Sequence, residues 1–474
     1  MSADLPPPNI PHPSRSPALL RRLGPLDGAA IVVSNVVGSG IFIVPAIVAQ
    51  GVPNPWAMLG VWVAGGLLAF AGAMAYAELA ALRPRAGGEY VYLREAFGPL
   101  AGFLTGWTSF VAGFSGAIAA AAVGLASYLG RFLPAAADTT PLFAVSLGLV
   151  TLRLSPQSVV ALTAIASLSV VHIVGLGPGR VVQNLLAAMK ILVLVVFVAL
   201  GFSIGQGAAA NFATTSGVVV PSSWLLALIP VMFSYSGWNA AAYLAEEIRD
   251  PERNVPLALG LGTTAVVVIY LLLNVLYIYA LPVAELATVD VRVVDAAADR
   301  LFGASVAAPL AAASVVMIAA SISAMVLAGP RVYYAMARDG HFFPGVAKVH
   351  PTFRTPTTAI VAQSLWAGLL VLTGTFEQLV EYTGFAVVLF AGVAVTALFV
   401  LRRRDPRAHR PFRAWGYPFA PLCFVLASLL MVVNAIWRSP GPSVAGLLLI
   451  AAGLPMYRLF RWQADRRTSG EDER

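Results

Sequence analysis

The chain is poor in cysteine, charge and histidine. One cysteine, Cys423, in 474 residues excludes an intrachain disulfide framework. Charged residues make up 11%, against about 25% in soluble domains. The 5 histidines stand at no metal-ligand spacing from Glu or Asp, and Cys423 has no neighbouring histidine. The opening MSADLPPPNIPHPSRSP lacks the apolar core of a signal peptide and reads as a flexible cytoplasmic tail over 1–25. These scarcities exclude a secreted disulfide scaffold. What replaces the missing charge is apolar: 59% of residues are hydrophobic and mean hydropathy is +0.81. A soluble chain has too little interior to hide that surface, so a lipid bilayer must act as partner and solvent.

A helix crosses the bilayer core in about 20 apolar residues. Runs between charges and Gly/Pro clusters place spans near 26–50, 56–80, 100–130, 157–174, 178–204, 222–247, 257–281, 305–335, 356–375, 379–401, 418–437 and 442–459. The expected fold class is an all-α integral membrane protein of twelve transmembrane helices. Residues 134–156 are too short and interrupted to cross, and read as an external excursion. No gap leaves room for a soluble domain.

The basic residues set orientation. With the N-terminus inside, the inner segments hold 24 and the outer segments 5, leaving Lys190 within a span. An even number of spans follows, with both termini cytoplasmic in a cell membrane. The net charge of +8 is thus a topology signal facing lipid headgroups, and no nucleic-acid partner is expected. The RRRDPRAHR run in the 402–417 loop reads as a solvated face.

The informative places are interruptions, because backbone freed from helix at membrane depth must line a cavity or be buried in protein. The first span contains Asn35-Val36-Val37-Gly38-Ser39-Gly40-Ile41-Phe42. The sixth contains Phe233-Ser234-Tyr235-Ser236-Gly237-Trp238. Gly38 and Ser234 are 196 residues apart, and so are the two span starts. Paired interruptions in corresponding positions point to an inverted-repeat transporter with a midplane site. Unwinding at Gly38–Gly40 frees N–H groups that favour an anion such as a carboxylate, and the Ser39 hydroxyl adds a donor. Carbonyls of Val36 and of Phe233 to Ser236 are acceptors suited to an ammonium. Together they match the head groups of an α-amino acid.

At these residues the sequence resembles amino acid permeases of the amino acid–polyamine–organocation superfamily, and among them the prokaryotic L-type branch. Gly38-Ser39-Gly40-Ile41-Phe42 matches the family's GSGIF. Phe233 to Trp238 resembles its sixth-span F-[AS]-Y-x-G-W. Pro84 to Tyr90, Glu246 to Pro256 and Arg331 to Gly340 resemble three of its loop motifs. The resemblance implies a LeuT-like five-plus-five inverted repeat (26–204 and 222–401), two further helices (418–459) and a cytoplasmic tail (460–474). Helices 1 and 6 would be discontinuous. It implies alternating access for an amino acid, with Gly38, Ser39, Gly40 and Ile41 on the carboxylate and Val36, Phe233, Ser234 and Ser236 on the amine. Tyr235 and Trp238 match family positions. No cofactor or metal is expected, and the motifs assign no oligomeric state. They are compatible with exchange or proton coupling.

Lys190 lies within the fifth span, where a charge is expensive and hence functional by default. The resemblance places its ammonium where sodium-coupled relatives bind a cation, toward the first-span break and eighth-span hydroxyls, Ser321 or Ser323. Transport is therefore expected to be sodium-independent. Glu78 is expected to pair with an arginine. Glu246, Glu247 and Asp250 are expected to form an inner-gate network with Arg249 and Arg253. Gly113, Ser115 and Gly116 could make room for a side chain. With no charged residue in the pocket beyond Lys190, neutral or small cargo is favoured. A polyamine carrier would need carboxylates at the breaks, and none lies within ten residues of Ser39 or Ser234. An intramembrane enzyme would need paired catalytic groups at depth, which are missing from the sequence.

Overall fold

The computed structural model describes residues 19–471, apart from 39, 147, 149–150, 216, 290–291, 304–305 and 375. Ser39 therefore lies outside the described residues. In chain order, α1 (Pro25–Val36) and α2 (Gly40–Gly51) form a bent pair, followed by α3 (Pro55–Leu82) and a short α4 (Glu89–Phe97). The next span joins α5 (Pro99–Thr108) to α6 (Phe114–Leu129) through a π-helical turn, Ser109–Gly113. Then come α7 (Pro156–Ile173), α8 (Leu176–Ser203), α9 (Pro221–Ser234), a single turn α10 (Ala240–Tyr243) and α11 (Pro251–Ala280). The remainder is α12 (Val283–Leu286), α13 (Val293–Phe302), α14 (Ala307–Arg338), α15 (Thr357–Thr373), α16 (Phe376–Arg404), α17 (Phe419–Arg438), α18 (Pro440–Ala451) and α19 (Gly453–Glu471).

Among the described residues, nine helices are long and apolar enough to cross a membrane, or ten with the α1–α2 pair as one span. The two other expected spans are helical but short. The 14-residue α9 ends where the chain leaves helix at Tyr235. The 17-residue α15 ends at Gly374, whose φ of 66° is left-handed. The expected external excursion does not cross: β1 (Phe143–Ser146) and β2 (Thr151–Leu154) pair there as an antiparallel hairpin.

Prolines start many of these helices, because a first-turn N–H has no intrahelical partner to lose. Asn54 accepts from Ala57 N and caps α3; Ser155 accepts from Ser158 N and caps α7. The core follows the broken helices. α1 packs on α8, α11 and α14, and α9 packs on α2 and α3. Lipid-facing leucines and valines such as Leu192, Leu365 and Leu448 remain exposed, as expected where hydrocarbon is the solvent.

Toward the end expected to be cytoplasmic, called inner below, residues 19–24 before α1 are held against the fold. Leu19 and Leu23, within the expected flexible tail, are buried. Leu23 bridges Ile248, and Arg22 N and Leu23 N donate to Glu247 O at 2.9 and 3.0 Å. Glu78 is fully buried and accepts from Arg402 Nε and Nη2 at 2.8 and 2.6 Å and from Ala414 N at 2.7 Å. The arginine partner expected for Glu78 thus comes from the basic run. That run is not merely solvated: it supplies the counter-charge for a carboxylate that could not be buried alone.

Candidate functional site

α1 ends at Val36 and α2 starts at Gly40, with axes 52° apart. α2's first N–H groups therefore have no intrahelical partner. α9 ends at Ser234, and the chain turns through Gly237, whose φ of 104° suits a residue without Cβ. The two breaks touch. A Cβ on Gly40 would stand 2.8 Å from Ser234 Oγ and 2.9 Å from Ser234 Cα, so only glycine permits this approach. Asn35 Nδ2 donates to Gly237 O at 3.4 Å. The Tyr270 hydroxyl of α11 lies 2.9 Å from Val36 O and 3.0 Å from Ser234 O, a bifurcated donor joining both breaks. Among the described residues, Ser234 Oγ is buried without a hydrogen-bond partner.

A cavity of 440 Å³ opens over this junction, within the ~300–1,000 Å³ typical of small-molecule sites. Of the expected site residues, Val36, Gly38, Gly40, Phe233, Ser234, Ser236 and Trp238 line it. Ile41 and Tyr235 do not. Ile41, one helical step past Gly40, points into the core and is fully buried. Tyr235 is turned toward α3, donating to Trp62 O at 3.2 Å with its ring edge-on to Trp62. Gly113 of the π-helical turn lines the cavity; Ser115 and Gly116 are not part of its lining. The lining continues along α6 (Ala117, Ala121, Gly124) to Tyr128 and Arg292, whose guanidinium lies 3.8 Å from the Tyr128 ring centroid.

Lys190 is buried outside the lining, behind the first break. Its Nζ donates to Ser34 O at 2.9 Å, Val37 O at 2.6 Å and Ser321 Oγ at 2.9 Å. Three oxygens from two helices thus surround the ammonium. Ser323 is not among them. Two residues along a helix rotate it by roughly 200°, and its hydroxyl meets His172 Nε2 at 2.8 Å.

An ion-pair cluster lies toward the inner end, outside the cavity lining. The expected acidic network exists there with different partners. Glu247 pairs bidentately with Arg331 of α14 at 2.6 and 3.0 Å, both side chains fully buried. Glu246 pairs with Arg338 at 2.9 Å and accepts from Ala86 N at 3.0 Å. Among the described residues, Arg249, Arg253 and Asp250 take no part in an ion pair with this cluster; the chain turns at Asp250 (φ 44°) before α11 begins.

Three residues at the site escaped the sequence reading. Glu89 opens α4 and lines the cavity floor, accepting from Asn239 Nδ2 at 2.6 Å and Tyr76 Oη at 2.7 Å. Burial raises its carboxyl pKa above the ordinary value, against the hydrogen bonds donated to it. The pocket therefore has a carboxylate, contrary to the expectation that Lys190 is its only charge. Its signal lay in the Gly87-Gly88-Glu89-Tyr90 stretch, but a window around each break could not reach it. Asn35 preceded the first motif without a role. Tyr270 sits in an unbroken span and gave no signal.

The family model for amino acid permeases matches residues 23–457. The chain belongs to the amino acid permease family. This permease is similar to the serine/threonine exchanger SteT of Bacillus subtilis (strain 168), 29% identical over 441 residues covering 93% of this chain and 96% of SteT. It is 30% identical to b(0,+)-type amino acid transporter 1 of Mus musculus over 454 residues, covering 94% and 89%. It is 28% identical to the cystine/glutamate transporter of Homo sapiens over 446 residues, covering 93% and 85%. The permease is a multi-pass membrane transporter of amino acids and not an enzyme.

Proposed function

We propose that this permease is a sodium-independent amino acid transporter, working by exchange or proton coupling through alternating access. The observation that carries the reading is the contact of two helix breaks at one cavity. α2 presents free N–H groups for a carboxylate, and the Val36, Phe233 and Ser234 carbonyls lie beside them for an amine. Gly38, Gly40, Ser234 and Ser236 hold the zwitterion, with Ser39 as a further donor and Trp238 packed over it. The small and hydroxyl-bearing residues along α5 and α6 favour neutral or small side chains.

Lys190 supports sodium independence. Its ammonium fills an oxygen cage that would otherwise suit a monovalent cation, and Ser321 is its side-chain partner. The twelve helical segments support a five-plus-five repeat over 26–204 and 222–401 with two further helices. The paired breaks in α1–α2 and α9–α10 occupy corresponding positions. The basic residues favour cytoplasmic termini in a cell membrane. On that reading Tyr128 and Arg292 lie at the outer end of the cavity and the Glu247–Arg331 pair lies toward the inner end.

The test is counterflow in proteoliposomes loaded with unlabelled amino acids. Uptake of labelled neutral amino acids should be unchanged when choline replaces sodium. Loss of uptake without sodium refutes the role given to Lys190, and uptake of putrescine but of no α-amino acid refutes the substrate class.

A further inference from the structure

Glu89 is the acidic group on the cavity lining. Among the described residues no ion pair includes it, and its recorded partners are neutral: Asn239, Tyr76 and, around it, Tyr243 and Thr105. The titratable groups facing it are phenols: Tyr76 from α3, Tyr92 from its own helix and Tyr243 from α10, with Tyr333 of α14 behind Tyr243. Phenols keep their protons up to about pH 10 and bring no counter-charge. Arg292, the cavity's cation, is at the opposite end beside Tyr128.

Glu89 is a part-buried residue on the cavity lining, beside space that water can enter. Alternating access requires that the cavity close over its cargo. Closing removes that water, and an ionised carboxylate sealed in protein without a positive partner is strongly disfavoured. A zwitterionic amino acid carries no net charge and leaves the deficit unchanged.

We propose that Glu89 is a charge-neutralisation site, at which the cargo must supply one positive charge before the cavity closes. That charge is a proton accompanying a neutral amino acid, or the ammonium or guanidinium end of a basic side chain. Glu89 is placed to report the neutralisation. The 86–89 strap is stitched to the inner gate through Ala86 N on Glu246 at 3.0 Å and Gly87 N on Tyr243 O at 3.1 Å, and Glu89 itself holds Asn239 at the start of α10. The inference rests on the alternating-access reading above and extends it to substrate class.

Opposite pH profiles follow. A neutral cargo needs Glu89 protonated, so its uptake falls as pH rises through the carboxyl's pKa. A basic cargo needs it ionised, so its uptake rises over the same interval. The experiment compares uptake of serine and of arginine by the full-length permease in proteoliposomes between pH 5 and 8.5, with a trapped pH dye. The wild type should lose at least tenfold in serine uptake and gain at least tenfold in arginine uptake across the range. Serine entry should carry protons. Glu89→Gln should make serine uptake flat and proton-free and lower arginine uptake at least tenfold at pH 8. Glu89→Asp should keep both slopes. Flat or parallel profiles in the wild type, or a Glu89→Gln variant that keeps the opposed slopes, overturn the proposal. A wild type that carries no α-amino acid removes the transport reading and this one with it.

Discussion

Replacing Glu247 by alanine removes the partner of a fully buried guanidinium. Among the described residues, Arg331 then keeps only its bond to Leu327 O at 2.7 Å, within its own helix. Truncating one member of a buried ion pair costs about 3–5 kcal/mol, because the other charge is left uncompensated. The charge can be rehydrated only by opening the inner end, so the penalty falls on the inner-closed state alone. At roughly 1.4 kcal/mol per tenfold, the gate equilibrium shifts toward the inner-open state by about two to three and a half orders of magnitude. The readout is labelling of a single cysteine at Ala121, on the cavity wall, in a Cys423→Ser background. A membrane-impermeant thiol reagent added from outside should react at least tenfold more slowly with Glu247→Ala. The double variant Glu247→Leu, Arg331→Met leaves no buried charge and should return toward the parent rate. A Glu247→Ala rate within twofold of the parent would refute the idea that this pair holds the gate.

Gly40→Ala should cut uptake more than tenfold, because its Cβ would stand 2.8 Å from Ser234 Oγ and drive the breaks apart; Gly51→Ala, with open space around it, is the matched control. Tyr270→Phe leaves the Val36 and Ser234 carbonyls without their shared donor. A cost of about 1–3 kcal/mol, or some five- to 150-fold in apparent affinity, should appear in counterflow titrations. Ser321→Ala removes one of the three oxygens around Lys190 and should reduce exchange about tenfold. Ser323→Ala, whose hydroxyl serves His172, should lower melting temperature without changing substrate affinity.

The sequence by itself determined the membrane class, the helical segments, the two breaks and the family. Each depends on a local property: apolar run length, a small-residue cluster, or a contiguous motif. It also located Lys190, because a charge inside an apolar run is visible without knowing its neighbours. Distances across the bundle belong to the tertiary structure. Glu89 lies 150 residues from Asn239, and Arg331 lies 84 from Glu247, so no window along the chain joins them. Helical phase decided the rest. A rotation of a few residues put Ser321 rather than Ser323 on Lys190, and turned Ile41 and Tyr235 away from a cavity that their motif neighbours line. Burial selects partners by proximity in space, and at membrane depth an unpartnered charge or carbonyl is too costly to leave to chance.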